Sequence, residues 1–230
     1  MDFYQKAKLA DKFIELTKWF VNKEALYEHT KHVYAKNGTI FCTNGKEAFL
    51  TNDPCVNNFI GCYNEETGEF ETITSDTILS AMDKTYNVLL FNLSNTLKYE
   101  DAIITKIEDW GEPITEKFEI DPEPIQENEE EYYNEEGEEP PKKKRKPRKK
   151  TKTVVKSFVK ITFQNSKETF THIFQKETML HIIEAFKGMP TFKITNDCRQ
   201  SACIKKNDQC KIEDDIFFLI VPYDPANMKG

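Results

Sequence analysis

Apolar residues recur at helical spacing near the start of the chain. Leu9, Phe13, Leu16 and Phe20 are separated by four, three and four residues. That spacing places side chains on one face of an α-helix. The pattern therefore predicts an amphipathic helix whose apolar face packs against a core.

Two Asn-Gly pairs follow this helix and enclose a run of residues with high β-propensity. The pairs are Asn37-Gly38 and Asn44-Gly45. Asn-Gly adopts the positive φ angles that tight hairpin turns require. The stretch therefore predicts three antiparallel strands, near residues 33–36, 39–43 and 46–51.

The rest of the chain alternates between strand and helix patterns. One helix is predicted over residues 76–84 with Ser75 as its N-cap. A second contains Met179, Ile182, Ile183 and Phe186, and is expected to end at Gly188, with Pro190 beyond it. Further strands are predicted near residues 70–73, 88–93, 102–107, 157–163, 169–174, 191–195, 201–205 and 216–221. An order of strand, helix and three strands recurs clearly at both ends of the chain and more faintly in the middle.

A highly charged segment interrupts this pattern. Residues 121–139 contain ten acidic side chains, and nine Lys or Arg residues follow between Lys142 and Lys152. Prolines break both runs. Such a segment buries too little apolar surface to offset the entropy lost on ordering, so a disordered linker is predicted. The expected division is an N-terminal domain over residues 1–120, a linker over 121–153 and a C-terminal domain over 154–230.

Composition narrows the functional classes. The chain has 230 residues and a net charge of -7, which argues against a simple nucleic-acid coat protein. None of its six cysteines forms a CxxC pair, so reduced thiols in a reducing compartment are expected, with a redox or metal role as the lesser alternative. The N-terminus lacks the apolar core of a signal peptide, and no window reaches the ~20 apolar residues of a membrane span. A soluble, cytoplasmic protein is expected.

Candidate catalytic residues are few and scattered. The sequence contains no Gly-rich phosphate loop, no GxSxG and no HExxH. Asp214 and Asp215 are adjacent, but before a strand such a pair is more often a solvated turn than a metal site. His172 and His181 lie near Cys198 in sequence, without a pattern that marks a base, an orienting group and an oxyanion hole. We therefore expect no catalytic residues, no metal and no cofactor.

Both ends of the chain resemble the bacterial beta-type sliding clamp family. MDFYQKAKLADKFIELTKWF followed by HVYAKNGTIFCTNGKEAFLTN is similar to its opening unit, with Asn37-Gly38 and Thr43-Asn44-Gly45 at the turns. ETMLHIIEAFKGMPTFKITND, RQSACIKKND and DIFFLIVPY resemble the closing unit. The similar parts span about residues 1–53 and 176–223. The closing Met-Pro-Met-Arg of the family is replaced here by Val221-Pro222-Tyr223-Asp224.

This resemblance implies an α/β fold of the α+β type, with antiparallel sheets and helices on one face. It also implies a processivity factor without chemistry of its own, which holds DNA polymerase on duplex DNA and binds polymerase and clamp loader through short peptides. Basic side chains would attract phosphate without reading sequence. The DNA-binding candidates are Lys6, Lys8, Lys12, Lys18, Lys23, Lys142, Lys143, Lys144, Arg145 and Lys146. The partner-peptide pocket carried over by position is Leu219, Val221, Pro222 and Tyr223, with Tyr223 at its mouth.

Several alternatives stay open. Lys8 and Lys12 on the first helix are equally consistent with an ordinary solvated face, and Leu219 and Val221 with core packing. Three interpretations of the basic run that begins at Lys142 are ranked in order of preference. The first is a solvated linker, the second an arm that contacts DNA and the third a nuclear localisation signal. A chain too short for three clamp domains would have to assemble into a ring, for which a homotrimer is favoured. The rival functions are a viral DNA-binding accessory protein that acts through its basic linker and an enzyme with an unrecognised site. A phage or bacterial source is expected, with the nucleus as the alternative location in a eukaryotic host.

Overall fold

The computed structural model describes residues 16–21, 27–120, 150–210 and 215–224. These residues form an α+β fold with an antiparallel sheet of eleven strands and two helices, which confirms the predicted fold class. The elements are β1 (Tyr34–Lys36), β2 (Thr39–Thr43), β3 (Glu47–Asn52), β4 (Ile60–Asn64), β5 (Glu69–Thr72), α1 (Asp76–Thr96), β6 (Asp101–Ile120), β7 (Lys150–Gln164), β8 (Thr169–Gln175), α2 (Lys176–Phe186), β9 (Thr191–Lys193), β10 (Ala202–Lys205) and β11 (Ile216–Ile220).

The strand order joins the two ends of the chain within one sheet. It runs β5-β4-β1-β2-β3-β11-β10-β9-β6-β7-β8. β11 is antiparallel to β3, from Ile216 opposite Thr51 to Ile220 opposite Glu47. One compact unit contains the described residues up to Glu112 and from Ser157 onward, and a second spans Pro113–Lys156. The last described strand, β11, thus completes the sheet that the first strands begin.

The predicted hairpins are present near the chain start. Asn37 and Gly38 have φ angles of 50° and 81° between β1 and β2, and Gly45 has a φ angle of 93° between β2 and β3. These positive values are accessible to Asn and Gly at low steric cost. β1 pairs with β2, and β2 pairs with β3. The turn chemistry therefore sets the register of the strands that border the groove described below.

Helix α1 is longer than expected. Residues 88–93, predicted as a strand, belong to this single helix of 21 residues. Met82, Thr85, Leu89 and Thr96 are its buried residues and recur at helical spacing. The apolar run over 88–93 resembles a buried strand when taken alone, since a short apolar run does not distinguish the two structures. Ser75 caps the helix as predicted, with its hydroxyl accepting from the Ile78 amide at 3.5 Å.

The two helices cover opposite faces of the sheet, which corrects the expectation of helices on one face. Side chains alternate along a strand, and on β2 Phe41 packs with Met82 of α1. Its neighbours Ile40 and Cys42 belong instead to the core that contains Phe186 of α2. The sheet therefore has two separate apolar layers, one between the sheet and α1 and the other between the sheet and α2.

The layer beneath α2 is rich in aromatic residues. The Phe218 ring lies 5.2 Å from that of Phe20, 5.4 Å from Phe49 and 5.6 Å from Phe186, measured between centroids. Phe20, predicted to lie on an apolar helix face, is therefore a core residue. Its predicted companions Leu9 and Phe13 lie outside the described residues.

Helix α2 ends through a different residue from the one predicted. Lys187, not Gly188, adopts the left-handed conformation at its C-cap, with a φ angle of 50°. Gly188 is needed for a different reason. A Cβ atom there would lie 2.5 Å from the Gln209 carbonyl oxygen, so only glycine allows the two backbone segments to approach.

The predicted linker is only partly described. Residues 121–149, which include its acidic run and most of its basic run, lie outside the described residues. Lys150 and Lys152, the last two lysines of the basic run, are strand residues of β7. Among the residues that the structure describes, no helix is long and apolar enough to span a membrane.

Candidate functional site

A groove of about 800 Å³ separates helix α1 from the neighbouring strand ends. One wall is the side of α1 from Asp76 to Asn92. The other is formed by the β2–β3 turn, the start of β3 and the end of β11. A volume in this range is typical of sites that bind a small molecule or a few residues of a peptide.

The helical wall consists largely of small side chains. Thr77, Ser80, Ala81, Thr85 and Val88 follow one another at offsets of three, one, four and three residues, which places them on one side of α1, and all five line the groove. Short side chains at these positions leave the space open. The groove therefore follows from the helix sequence and from the crossing of the helix over the sheet.

Part of the sheet wall is apolar. Ala48 of β3 and Leu219 of β11 are directly opposite each other in the antiparallel ladder, so their side chains lie on the same face. Both line the groove together with Leu89 of α1 and Val221, which follows β11. Leu219 is 4% exposed and packs in the α1 layer, whereas Val221 is 37% exposed. This apolar part of the sheet wall can accept one or two aliphatic or aromatic side chains.

The four predicted pocket residues take different positions. Leu219 and Val221 line the groove, and Leu219 is also a core residue. Pro222 is buried and is not among the lining residues. Tyr223 stands beyond the rim, with its ring edge-on to Phe158 at 4.8 Å between centroids. Its backbone N–H donates to the Ile173 carbonyl at 2.8 Å.

The predicted DNA-binding residues are mostly outside the described part of the chain. Only Lys18 is described, and its side chain is exposed. The others, Lys6, Lys8, Lys12, Lys23, Lys142, Lys143, Lys144, Arg145 and Lys146, lie outside it. The two described helices do not provide a basic face, because α1 contains Asp76, Asp83 and one lysine, and α2 contains one lysine and two glutamates.

The scattered candidates for catalysis are not brought together. The His172 Nε2–H donates to the Thr195 carbonyl at 2.6 Å, whereas the His181 ring stacks on Trp19 at 3.7 Å. Asp215 forms an ion pair with Lys206 at 3.1 Å, and Asp214 lies outside the described residues. Within the described ranges, no three His, Cys, Asp or Glu side chains form a group that could hold a metal ion.

Burial raises the pKa of the two most deeply buried cysteine thiols in the described part of the chain. It raises the pKa of the Cys203 thiol to about 12 and raises that of Cys42 as well. A thiol in this state carries almost no thiolate at neutral pH and reacts slowly. These two cysteines therefore act as apolar packing residues, while Cys62, Cys198 and Cys210 are partly exposed.

Sequence reasoning missed the helical wall of the groove. Thr85 lay just beyond the helix predicted over residues 76–84, and Val88 and Leu89 were assigned to a strand, so the place of these three residues beside β11 was not foreseen. The spacing of Met82, Leu89 and Thr96 by seven residues is the pattern that could have revealed one continuous helix.

Comparisons with known proteins do not identify a relative. No protein-family model matches the chain, and searches of the curated proteins and of the solved structures return no match. The case for a function therefore depends on the groove and on the residues that carry the resemblance to the clamp family.

Proposed function

We propose that this chain is a clamp-like processivity factor that retains a DNA polymerase on duplex DNA and performs no chemistry of its own. The polymerase, or the loader that places the chain on DNA, would dock a short peptide in the groove between α1 and β11. The observation that carries this proposal is the position of the groove. It lies at the end of the last strand, where the resemblance to sliding clamps places a peptide pocket, and it includes Leu219 and Val221.

The length of the groove suits a short extended peptide. Its α1 wall, from Asp76 to Asn92, is roughly 24 Å long at the usual rise per residue. An extended peptide of about seven residues covers that length. The expected ligand is therefore a short extended segment with one or two apolar anchors.

The proposed contact with DNA uses the basic residues at the chain start and in the run from Lys142 to Lys146. Because α1 and α2 lack basic faces, we expect neither helix to face the duplex DNA. The proposal retains a ring of identical chains, with a trimer favoured, and the cytoplasm of a bacterial or phage-infected cell as the place of action.

A bulky residue in the helical wall tests the groove directly. Ser80 is exposed and lines the groove, whereas Ser94 is exposed on the same helix but does not line it. We expect Ser80→Trp to weaken binding of the fluorescein-labelled peptide Gly-Asn-Leu-Asn-Leu-Phe-Gly by at least about tenfold, the loss of one anchor contact. Ser94→Trp, the matched control, should bind as the wild type does. Fluorescence anisotropy gives the affinities.

Thermal unfolding of both variants separates a blocked groove from a damaged fold, and both should unfold within a few degrees of the wild type. Equal affinity of Ser80→Trp and wild type would place the peptide elsewhere on the protein. Absence of binding to the wild type at millimolar protein would remove the peptide-docking function.

A further inference from the structure

Two lysines of the groove have no acidic partner among the described residues. Lys46 lies in the β2–β3 turn and Lys84 on α1, so they occupy opposite walls. A nearby lysine behaves differently. The Lys36 ammonium donates to Asp83 Oδ1 at 2.7 Å. The two groove lysines thus present positive charge to whatever enters.

The groove also contains two acidic residues, Glu47 and Asp76. Glu47 is only 9% exposed, and its carboxylate accepts from the Asn44 side-chain amide at 2.8 Å. Asp76 is in the first turn of α1, where the partial positive charge of the helix N-terminus stabilises a carboxylate. The formal charges of these four groups cancel, but the two ammonium groups have no acidic partner among the described residues.

The turn that carries Lys46 is held by several hydrogen bonds. Asn44 Oδ1 accepts from the backbone N–H of Lys46 at 3.0 Å and of Glu47 at 2.9 Å. The Lys46 ammonium lies 4.9 Å from the centroid of the Tyr223 ring. Such a cation–π contact restricts the side chain without neutralising its charge. Lys46 is therefore positioned beside the groove before any ligand binds.

We infer that the groove selects peptides in which acidic residues flank apolar anchors. Leucine or phenylalanine side chains would rest on Leu89, Leu219 and Val221, and the neighbouring carboxylates would pair with Lys46 and Lys84. This inference rests on the proposed peptide-docking function and adds the chemistry of the partner.

The overall charge of the chain works against this preference only weakly. The net charge of -7 repels an acidic peptide at long range. At physiological salt the Debye length is about 8 Å, so charges far from the groove are largely screened. Contacts with the two ammonium groups act over shorter distances and dominate selection.

Two peptides of the same shape test the inference. Gly-Asp-Leu-Asp-Leu-Phe-Gly carries two carboxylates, and Gly-Asn-Leu-Asn-Leu-Phe-Gly replaces them with amides. We expect the acidic peptide to bind about 3- to 10-fold more tightly at low salt, as two solvent-exposed ion pairs provide. The difference should shrink as salt is raised. Affinities are measured by anisotropy with labelled peptides.

Variants of the lysines assign the effect to the groove. In the double variant with Lys46→Gln and Lys84→Gln, the two peptides should bind equally. The control variant Lys98→Gln, which changes an exposed lysine outside the groove, should keep the preference for the acidic peptide. Equal binding of both peptides to the wild type, or an unchanged preference in the double variant, would overturn the inference and leave the groove as a peptide site. If neither peptide binds, the proposed function itself fails.

Discussion

Tyr223 joins the groove to the core, and its replacement gives a measurable prediction. The resemblance to clamps implied a side chain at the mouth of a peptide pocket, whose loss would weaken binding and leave folding nearly intact. In the structure the ring instead packs edge-on against Phe158, which is 3% exposed, and supports the Lys46 ammonium. We therefore expect Tyr223→Ala to act mainly on stability.

The magnitude follows from the contacts that alanine removes. The edge-on aromatic pair contributes roughly 0.5–1.5 kcal/mol, and an exposed cation–π contact about 0.5–1 kcal/mol. Removing a half-buried ring costs a further ~1–2 kcal/mol of burial, since area-based values are upper bounds. The backbone hydrogen bond to Ile173 is retained by alanine. The free energy of unfolding should thus fall by roughly 2–4 kcal/mol, which lowers the melting temperature by about 4–16 °C for a chain of this length.

Calorimetry or circular dichroism on wild type and Tyr223→Ala gives the loss of stability. A double-mutant cycle with Lys46→Ala isolates the cation–π contact, for which we expect a coupling of about 0.5–1 kcal/mol. Affinity for the neutral peptide should change less than about threefold, because the ring does not line the groove. An unchanged melting temperature together with lost peptide binding would refute this reasoning and support the pocket-mouth role.

Two further predictions concern buried titratable groups. Burial lowers the pKa of His172 below its ordinary 6.5, although the hydrogen bond to the Thr195 carbonyl acts in the opposite direction. Because the folded-state pKa is depressed, the neutral His172 side chain contributes stability above pH ~6.5, and this contribution is lost as the pH falls below that value. Denaturant unfolding at pH 7.5 and pH 5.5 should show this loss, and His172→Gln should reduce it; equal pH dependence of the two proteins would contradict it. Burial also raises the pKa of Cys203 to about 12 and raises that of Cys42. An alkylating reagent at pH 7.5 should therefore label neither cysteine in the folded protein, whereas both should react in urea. Mass spectrometry of the peptides measures this labelling. Rapid labelling of Cys203 in the native state would mean that the α1 layer opens readily.

Local turn chemistry was the part of the fold that the sequence specified best. Asn37-Gly38 and Asn44-Gly45 predicted the β1–β3 hairpins because few residues other than Asn and Gly adopt positive φ angles cheaply. Strands β8 to β11 and helix α2 were likewise predicted to within a few residues. These elements depend on interactions between close neighbours in the chain.

Long-range arrangement could not be derived in the same way. The pairing of β11 with β3 depends on which two apolar edges meet, and the residues of either strand alone do not encode that choice. The apolar run 88–93 was misassigned for a related reason, since its helical form is supported by Met82 and Leu89 packing on the sheet. As for the groove, Leu219 and Val221 were found through the clamp resemblance, but Lys46, Lys84 and the helical wall became neighbours only through the tertiary fold.

The β3–β11 ladder also has a consequence for how the protein is made. The Thr51 hydroxyl donates to the Asp215 carbonyl across 164 residues of chain. While a ribosome synthesises the intervening segment, β3 has β2 on one side and an unpaired edge on the other. Exposed strand edges are templates for association between chains, and closing so long a loop slows folding. Nascent chains of this protein should therefore depend on chaperones, or on slow translation of the end of the message, more than its small size would suggest.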